Sequence, residues 1–139
     1  VLISGREYVY SYRVAFNRPA FRVRFGMMLK TIGGVELGGL ASHATGDGIE
    51  FVEAGTVATV EFLLRLPLTA GTYFLNAGVL GWLDGQEAYL HRVLDVLMFR
   101  VDAVPDRLAT GYVDFSVRQQ CQVSMGAGSR TVGPVSLPS

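Results

Sequence analysis

The sequence predicts an all-β chain folded as an immunoglobulin-like antiparallel sandwich, and three observations carry that expectation. Apolar residues recur with a period of two, Gly and Pro clusters interrupt the pattern every 10 to 20 residues, and no segment requires a helical period. Short alternating strands separated by turn residues bury one face each, and two such layers facing one another are the usual solution.

The first strand is carried by Tyr8, Tyr10, Tyr12, Val14 and Phe16 on one face, with Ser11 and Arg13 on the other, and Asn17-Arg18-Pro19 ends it. In the second, Phe21, Val23, Phe25, Met27 and Leu29 alternate with Arg22, Arg24, Gly26 and Met28. Ile32-Gly33-Gly34 then supplies a tight reversal into a return strand over Val35 to Leu40. Ala41 to Ile49 has the composition of a loop. After Gly55, Ala58, Val60, Phe62, Leu64 and Leu66 define another inward row, with Glu61 and Arg65 outward.

Pro67-Leu68-Thr69-Ala70-Gly71 reads as a turn, because Pro fixes φ and Gly permits the reversal. Beyond it Tyr73, Leu75, Ala77 and Val79 alternate with Phe74, Asn76, Gly78 and Leu80. Gly81 to Leu90 is expected to be a longer connection carrying Trp82, Asp84 and Tyr89, and two last strands are expected over Val96 to Val101 and Tyr112 to Val117. Glu87 to Leu97 also fits a helical period. The domain therefore runs over 1–118, followed by a tail over 119–139 that holds a single charge, Arg130. By composition that tail is either flexible or, at Gln120 to Met125, an edge strand that pairs with another copy.

Charge restricts the partners. Twelve basic residues balance twelve acidic ones, so the chain has no cation excess for nucleic acid or an anionic surface. One cysteine, Cys121, excludes an internal disulfide, and no cysteine and histidine set has zinc spacing. Cys121 is expected to be a buried or edge thiol, which fits a reducing compartment. The uncharged run Leu66 to Leu83 is interrupted by Pro67, Gly71, Asn76, Gly78 and Gly81, which argues against a spanning helix. The first residue is Val1, which suggests a piece of a longer polypeptide.

Enzyme motifs are lacking: there is no phosphate-binding GxxxxGK[ST] loop, no GxGxxG, no GxSxG and no HExxH. His43 near Asp47, Glu50 and Glu53 reads as a solvated loop, without metal spacing. Asp84, Glu87 and Asp95 are the only clustered carboxylates. Neither a cofactor nor a metal is expected.

The row Phe74, Asn76, Gly78 and Leu80 is unusually apolar for a solvent-facing side. It is either covered by a loop or a dimer partner, or it is a binding platform. Phe74 would offer a flat apolar ring and Asn76 a donor and an acceptor, a combination suited to sugars. The candidate carbohydrate-binding set is Phe74, Asn76, Trp82, Arg24 and His91, with Arg22 in the neighbouring outward row.

Ser4-Gly5 before the first strand, the Gly-Gly hairpin after Leu29, Gly55 ahead of Val57 to Leu66, the run Leu66-Pro67-Leu68-Thr69-Ala70-Gly71-Thr72-Tyr73 and Met98-Phe99-Arg100-Val101 together resemble the C-terminal domain of Wzt-type ATPases. The resemblance covers Ser4 to Val117. It implies a non-catalytic, dimeric sandwich fused behind the ATPase domain of an ABC transporter, acting with the membrane subunit at the cytoplasmic face of the bacterial inner membrane. Such a domain would recognise the non-reducing end of O-antigen polysaccharide before export, and a C-terminal strand can be exchanged between two copies. The hairpin departs from the pattern, with Gly33-Gly34 where Asp-Gly or Asn-Gly is frequent. The alternative reading is a purely structural, dimerising sandwich without a glycan site.

Overall fold

A computed structural model describes residues 1–105, 107–118 and 120–126. Seven strands follow in order: β1 Glu7–Ala15, β2 Ala20–Thr31, β3 Glu36–Ala41, β4 Ile49–Val52, β5 Val57–Arg65, β6 Gly71–Leu83 and β7 Gln86–Val101. Among the described residues there is no helix, and hence none long and apolar enough to cross a membrane. All strand pairings are antiparallel, as the alternating pattern requires.

β1 and β5 form a two-stranded sheet, and the larger sheet runs β3-β2-β6-β7 with β4 paired to β2. The inward rows read from the sequence meet between them, except that Phe21, expected inward, is 53% exposed and packs on the ring of Phe51. Tyr10, Val60, Phe62 and Leu64 of the small sheet pack on Val23, Phe25, Met27, Leu29, Tyr73, Leu75 and Val79 of the large one. Burying these apolar side chains is the main force holding the layers together. Phe16 meets Phe25 edge-on with ring centres 6.4 Å apart, and Tyr73 stacks on Phe99 at 5.7 Å. Val23 and Tyr73, exposed by 0% and 1%, mark the centre.

Several expectations are corrected. The stretch Gly81 to Leu90 is not a long connection, because β6 runs to Leu83 and β7 starts at Gln86. Asp84 and Gly85 both have positive φ, 51° and 80°, and make a two-residue reversal whose twist matches the strands. Asp-Gly is a strong local hairpin signal, and it converts the supposed loop into the start of a 16-residue strand. The helical alternative over Glu87 to Leu97 is likewise strand. A short strand, β4, follows the loop after β3, where none was expected.

Tyr112 to Val117 contains no strand. This segment is held instead by a single bridge between Leu68 and Val113, by Thr69 N–H donating to the Tyr112 carbonyl at 2.9 Å, and by the buried Asp114 paired with Arg107. Cys121 is exposed, not buried. Residues 120–126 carry no strand within this chain, and the rest of the 119–139 tail lies outside the described residues.

Two irregularities in β7 decide what each face presents. Between the partners of Val79 and Leu80 one extra residue, Leu90, is inserted; between those of Leu75 and Ala77 the insertion is Leu94 to Val96. Such bulges re-aim side chains without breaking the sheet. They leave Tyr89 and Arg92 on the outer face opposite Leu80 and Gly78, while His91 faces inward opposite Val79.

At Gly85 a side chain would have to adopt φ near 80°, which favours glycine. Gly85→Val is expected to lower stability by about 1–2 kcal/mol, whereas Gly38→Ala, where an added Cβ meets nothing within 4 Å, is expected to be near neutral. Urea unfolding of the two variants checks this contrast.

Candidate functional site: a groove on the outer face of the large sheet

The outer face of β2 and β6 carries two glycines directly paired across the strands, Gly26 and Gly78. Lacking side chains, they leave a depression in the middle of the sheet. Ala41 flanks Gly26 on β3, and Arg92 flanks Gly78 on β7. The result is a groove of about 530 Å³, lined among others by Arg24, Met28, Glu36, Asn76, Tyr89 and Arg92.

Tyr89 is the groove's aromatic wall. Its ring lies beside Gly78, where an added Cβ would come within 3.3 Å of the ring and push it outward by a few tenths of an ångström. Tyr89 remains 54% exposed, and the Arg92 guanidinium stands 5.2 Å from its ring centre. A half-open ring beside hydrogen-bonding groups is the combination that binds amphipathic ligands.

One end of the groove is closed by an ion pair. Arg24 Nε and Nη2 donate to Glu87 Oε2 and Oε1 at 2.8 and 2.7 Å, a two-pronged contact that spans from β2 to β7. The pair also holds the loop after β3: Arg24 Nη1 donates to the His43 carbonyl, and the Gly46 N–H donates to Glu87. Ser42 Oγ anchors the start of that loop by accepting from Phe25 N–H at 2.8 Å. The hydrogen bond from Arg24 pulls the Glu87 carboxyl below its ordinary range and raises the guanidinium.

The opposite end is built around the second bulge of β7. Asp95 has φ of 53°, a conformation Asp tolerates better than most residues. Asn76 Oδ1 accepts its backbone N–H at 2.8 Å, and Lys30 Nζ pairs with its carboxylate at 2.8 Å. Asn76 therefore lies on the outer face as its strand position requires, yet it is only 5% exposed. Its acceptor is committed to the fold, and its amide NH₂ has no partner among the described residues.

The five residues singled out from the sequence do not converge. Arg24 and Asn76 line the groove. Phe74 shares the outer face but belongs to the next row, between Lys30 and Met98, outside the groove lining. Trp82 lies beyond the Arg24–Glu87 pair, with the Arg22 guanidinium 4.5 Å over its ring and its indole N–H buried without a partner. His91 is on the opposite face of β7. Trp82 and His91 line a second cavity of about 790 Å³, between the free edge of β1 and the inner side of β6 and β7. Tyr89 and Arg92 lie outside the set that the sequence suggests, and the signal that points to them is the Asp84-Gly85 hairpin, which brings both opposite the outer row of β6.

The described residues hold no group of three or more His, Cys, Asp or Glu able to bind a metal. The arrangement offers stacking and hydrogen bonding.

Compared with known proteins, residues 1–115 match the family model described as the Wzt C-terminal domain. Among solved structures, the chain is similar to one entitled "Crystal structure of the C-terminal domain of wzt", with a TM-score of 0.73 at 23% identity over 87% of this chain and 73% of that one. No curated protein sequence matches.

Replacing Glu87 with Gln is expected to cost about 1.5–3 kcal/mol at neutral pH, because it breaks a charge-assisted contact shielded from solvent. A carboxyl whose pKa is lower when folded contributes stability above its unfolded value and loses it as pH falls through the folded one. The gap between wild type and Glu87→Gln in urea unfolding should therefore be full at pH 7 and close in the acid range below about pH 4.

Proposed function

The chain belongs to the Wzt C-terminal domain family, and from that premise we propose that it is a non-catalytic module that recognises the non-reducing end of O-antigen polysaccharide for export by an ABC transporter. Family membership supports the transporter context, with an ATPase domain and a membrane subunit as partners and a cytoplasmic position at the inner membrane. The groove supplies the observation that carries the glycan reading: a depression floored by paired glycines, walled by the exposed Tyr89 ring and ringed by Arg92, Glu36 and the Asn76 amide.

Sugars present C–H patches and hydroxyls side by side, so a ring wall beside fixed donors and acceptors suits them. Within the set named from the sequence, Arg24 and Asn76 shape the ends of this groove. Phe74 extends the same face, whereas Trp82 and His91 line the second cavity and stand apart from the groove. An open groove removes little solvent per sugar, so the dissociation constant is expected between about 1 μM and 1 mM.

A second copy of the chain is the other proposed partner. Among the described residues β1 is paired on one edge only, and the 790 Å³ cavity beside it exposes the inner side of β7. Gln120 to Met125 of another copy, pairing as a strand with that edge, would cover Val93 and Val96. The structural alternative, dimerisation without glycan binding, rests on this cavity alone.

Titrating O-polysaccharide from the encoding bacterium into isotopically labelled protein tests the main reading. Amide shifts are expected to cluster at Gly26, Asn76, Gly78, Tyr89 and Arg92, and Tyr89→Ala should weaken binding about tenfold, equivalent to about 1.4 kcal/mol. Binding that leaves these residues unmoved would overturn the site; no binding, with an intact dimer by light scattering, would favour the structural alternative.

A further inference from the structure

The floor of the groove has no side chains to hold it in place. Gly26 and Gly78 cannot wedge themselves into the core, so the height of the floor is set by what their backbone groups bond to. From the far side of the sandwich, the Tyr12 hydroxyl of β1 reaches both. It donates to the Gly26 carbonyl at 2.8 Å and lies 3.3 Å from the Gly78 carbonyl, one hydroxyl hydrogen shared between two acceptors on adjacent strands. The Tyr10 hydroxyl makes a longer contact, 3.4 Å, to the carbonyl of Asn76 at the end of the groove.

These contacts are unusual in direction. Strand carbonyls normally bond within their own sheet, whereas here a side chain of the opposite sheet crosses the core to reach two paired glycines. The Tyr12 ring is fixed in turn between Tyr10, at 5.5 Å, and Phe62, at 6.4 Å. It also lines the cavity beside β1, so a single side chain touches the back of the groove and the wall of the second cavity.

We propose that Tyr12 is a positioning residue for the groove: its hydroxyl fixes the Gly26–Gly78 floor, and through it the seat of the Tyr89 ring, without touching the ligand. The proposal rests on the glycan reading for its functional consequence and on geometry alone for its structural one. A mispositioned floor shifts the ring that lies beside Gly78, and contact with a rigid sugar falls steeply with small displacements.

Tyr12→Phe removes the hydroxyl and keeps the ring, so the core stays filled. Tyr8→Phe is the control, since the Tyr8 hydroxyl also makes one backbone contact from β1, accepting the Ile3 N–H at 2.8 Å, at the other end of the strand. In ligand-free protein, the carbonyl-carbon resonances of Gly26 and Gly78 and the ring resonances of Tyr89 are expected to move in Tyr12→Phe and to stay fixed in Tyr8→Phe. With the O-polysaccharide as probe, Tyr12→Phe should bind about tenfold more weakly, while Tyr8→Phe binds as wild type despite a comparable drop in melting temperature. Unmoved glycine and Tyr89 resonances, or wild-type affinity in Tyr12→Phe, would overturn the inference. A wild-type protein that fails to bind, with the resonances still shifting, would overturn the glycan reading instead and leave the structural tie standing.

Discussion

A two-stranded sheet lies across a five-stranded one, and that inequality governs the rest of the molecule. Two strands are wide enough to bury only the middle of the larger sheet's inner face. The core therefore gathers under β1 and β5, around Val23, Tyr73 and Phe62. The inner side of β7 is left partly uncovered, and a cavity opens beside the unpaired edge of β1. Among the described residues, the large sheet's outer face carries only the loop after β3 that the Arg24–Glu87 pair ties down.

Such a face is costly unless it is used or protected. Part of it is protected: Asn76, Lys30 and Asp95 consolidate the bulge of β7, and Arg24 with Glu87 seals the other end. Between these two polar clusters the sheet is bare at Gly26 and Gly78. The groove is thus the gap between two internally satisfied networks. Its ends are charged but neutralised within the fold, and between them Tyr89, Arg92 and Glu36 line the groove.

The bulges of β7 are what make this possible. A regular strand would put alternate residues of Gln86 to Val101 on fixed faces throughout. Inserting Leu90 keeps Tyr89 outward while sending His91 inward, and inserting Leu94 to Val96 gives Asn76 a backbone N–H to accept. The local cost, an Asp at φ of 53°, is offset by two contacts to that same residue. Sandwich and groove are consequently specified by different parts of the chain: the regular strands build the core, and the irregular one shapes the surface.

By itself, the sequence determined the all-β class, the inward rows of β1, β5, β6 and, from Val23 onward, β2, and the resemblance to the Wzt C-terminal domain, because a period of two is a local property that survives without knowing any partner strand. It marked Arg24, Asn76, Gly26 and Gly78 as outward for the same reason. Tertiary structure alone decided that Asn76 spends its acceptor on Asp95, that Arg24 is claimed by Glu87, that His91 lies on the far side, and that Tyr89 and Arg92 stand over the glycines. Each of these depends on which strand lies alongside β6 and in what register, and two bulges in β7 reset that register. Residues far apart in the chain set such pairings, so no local pattern could reveal them.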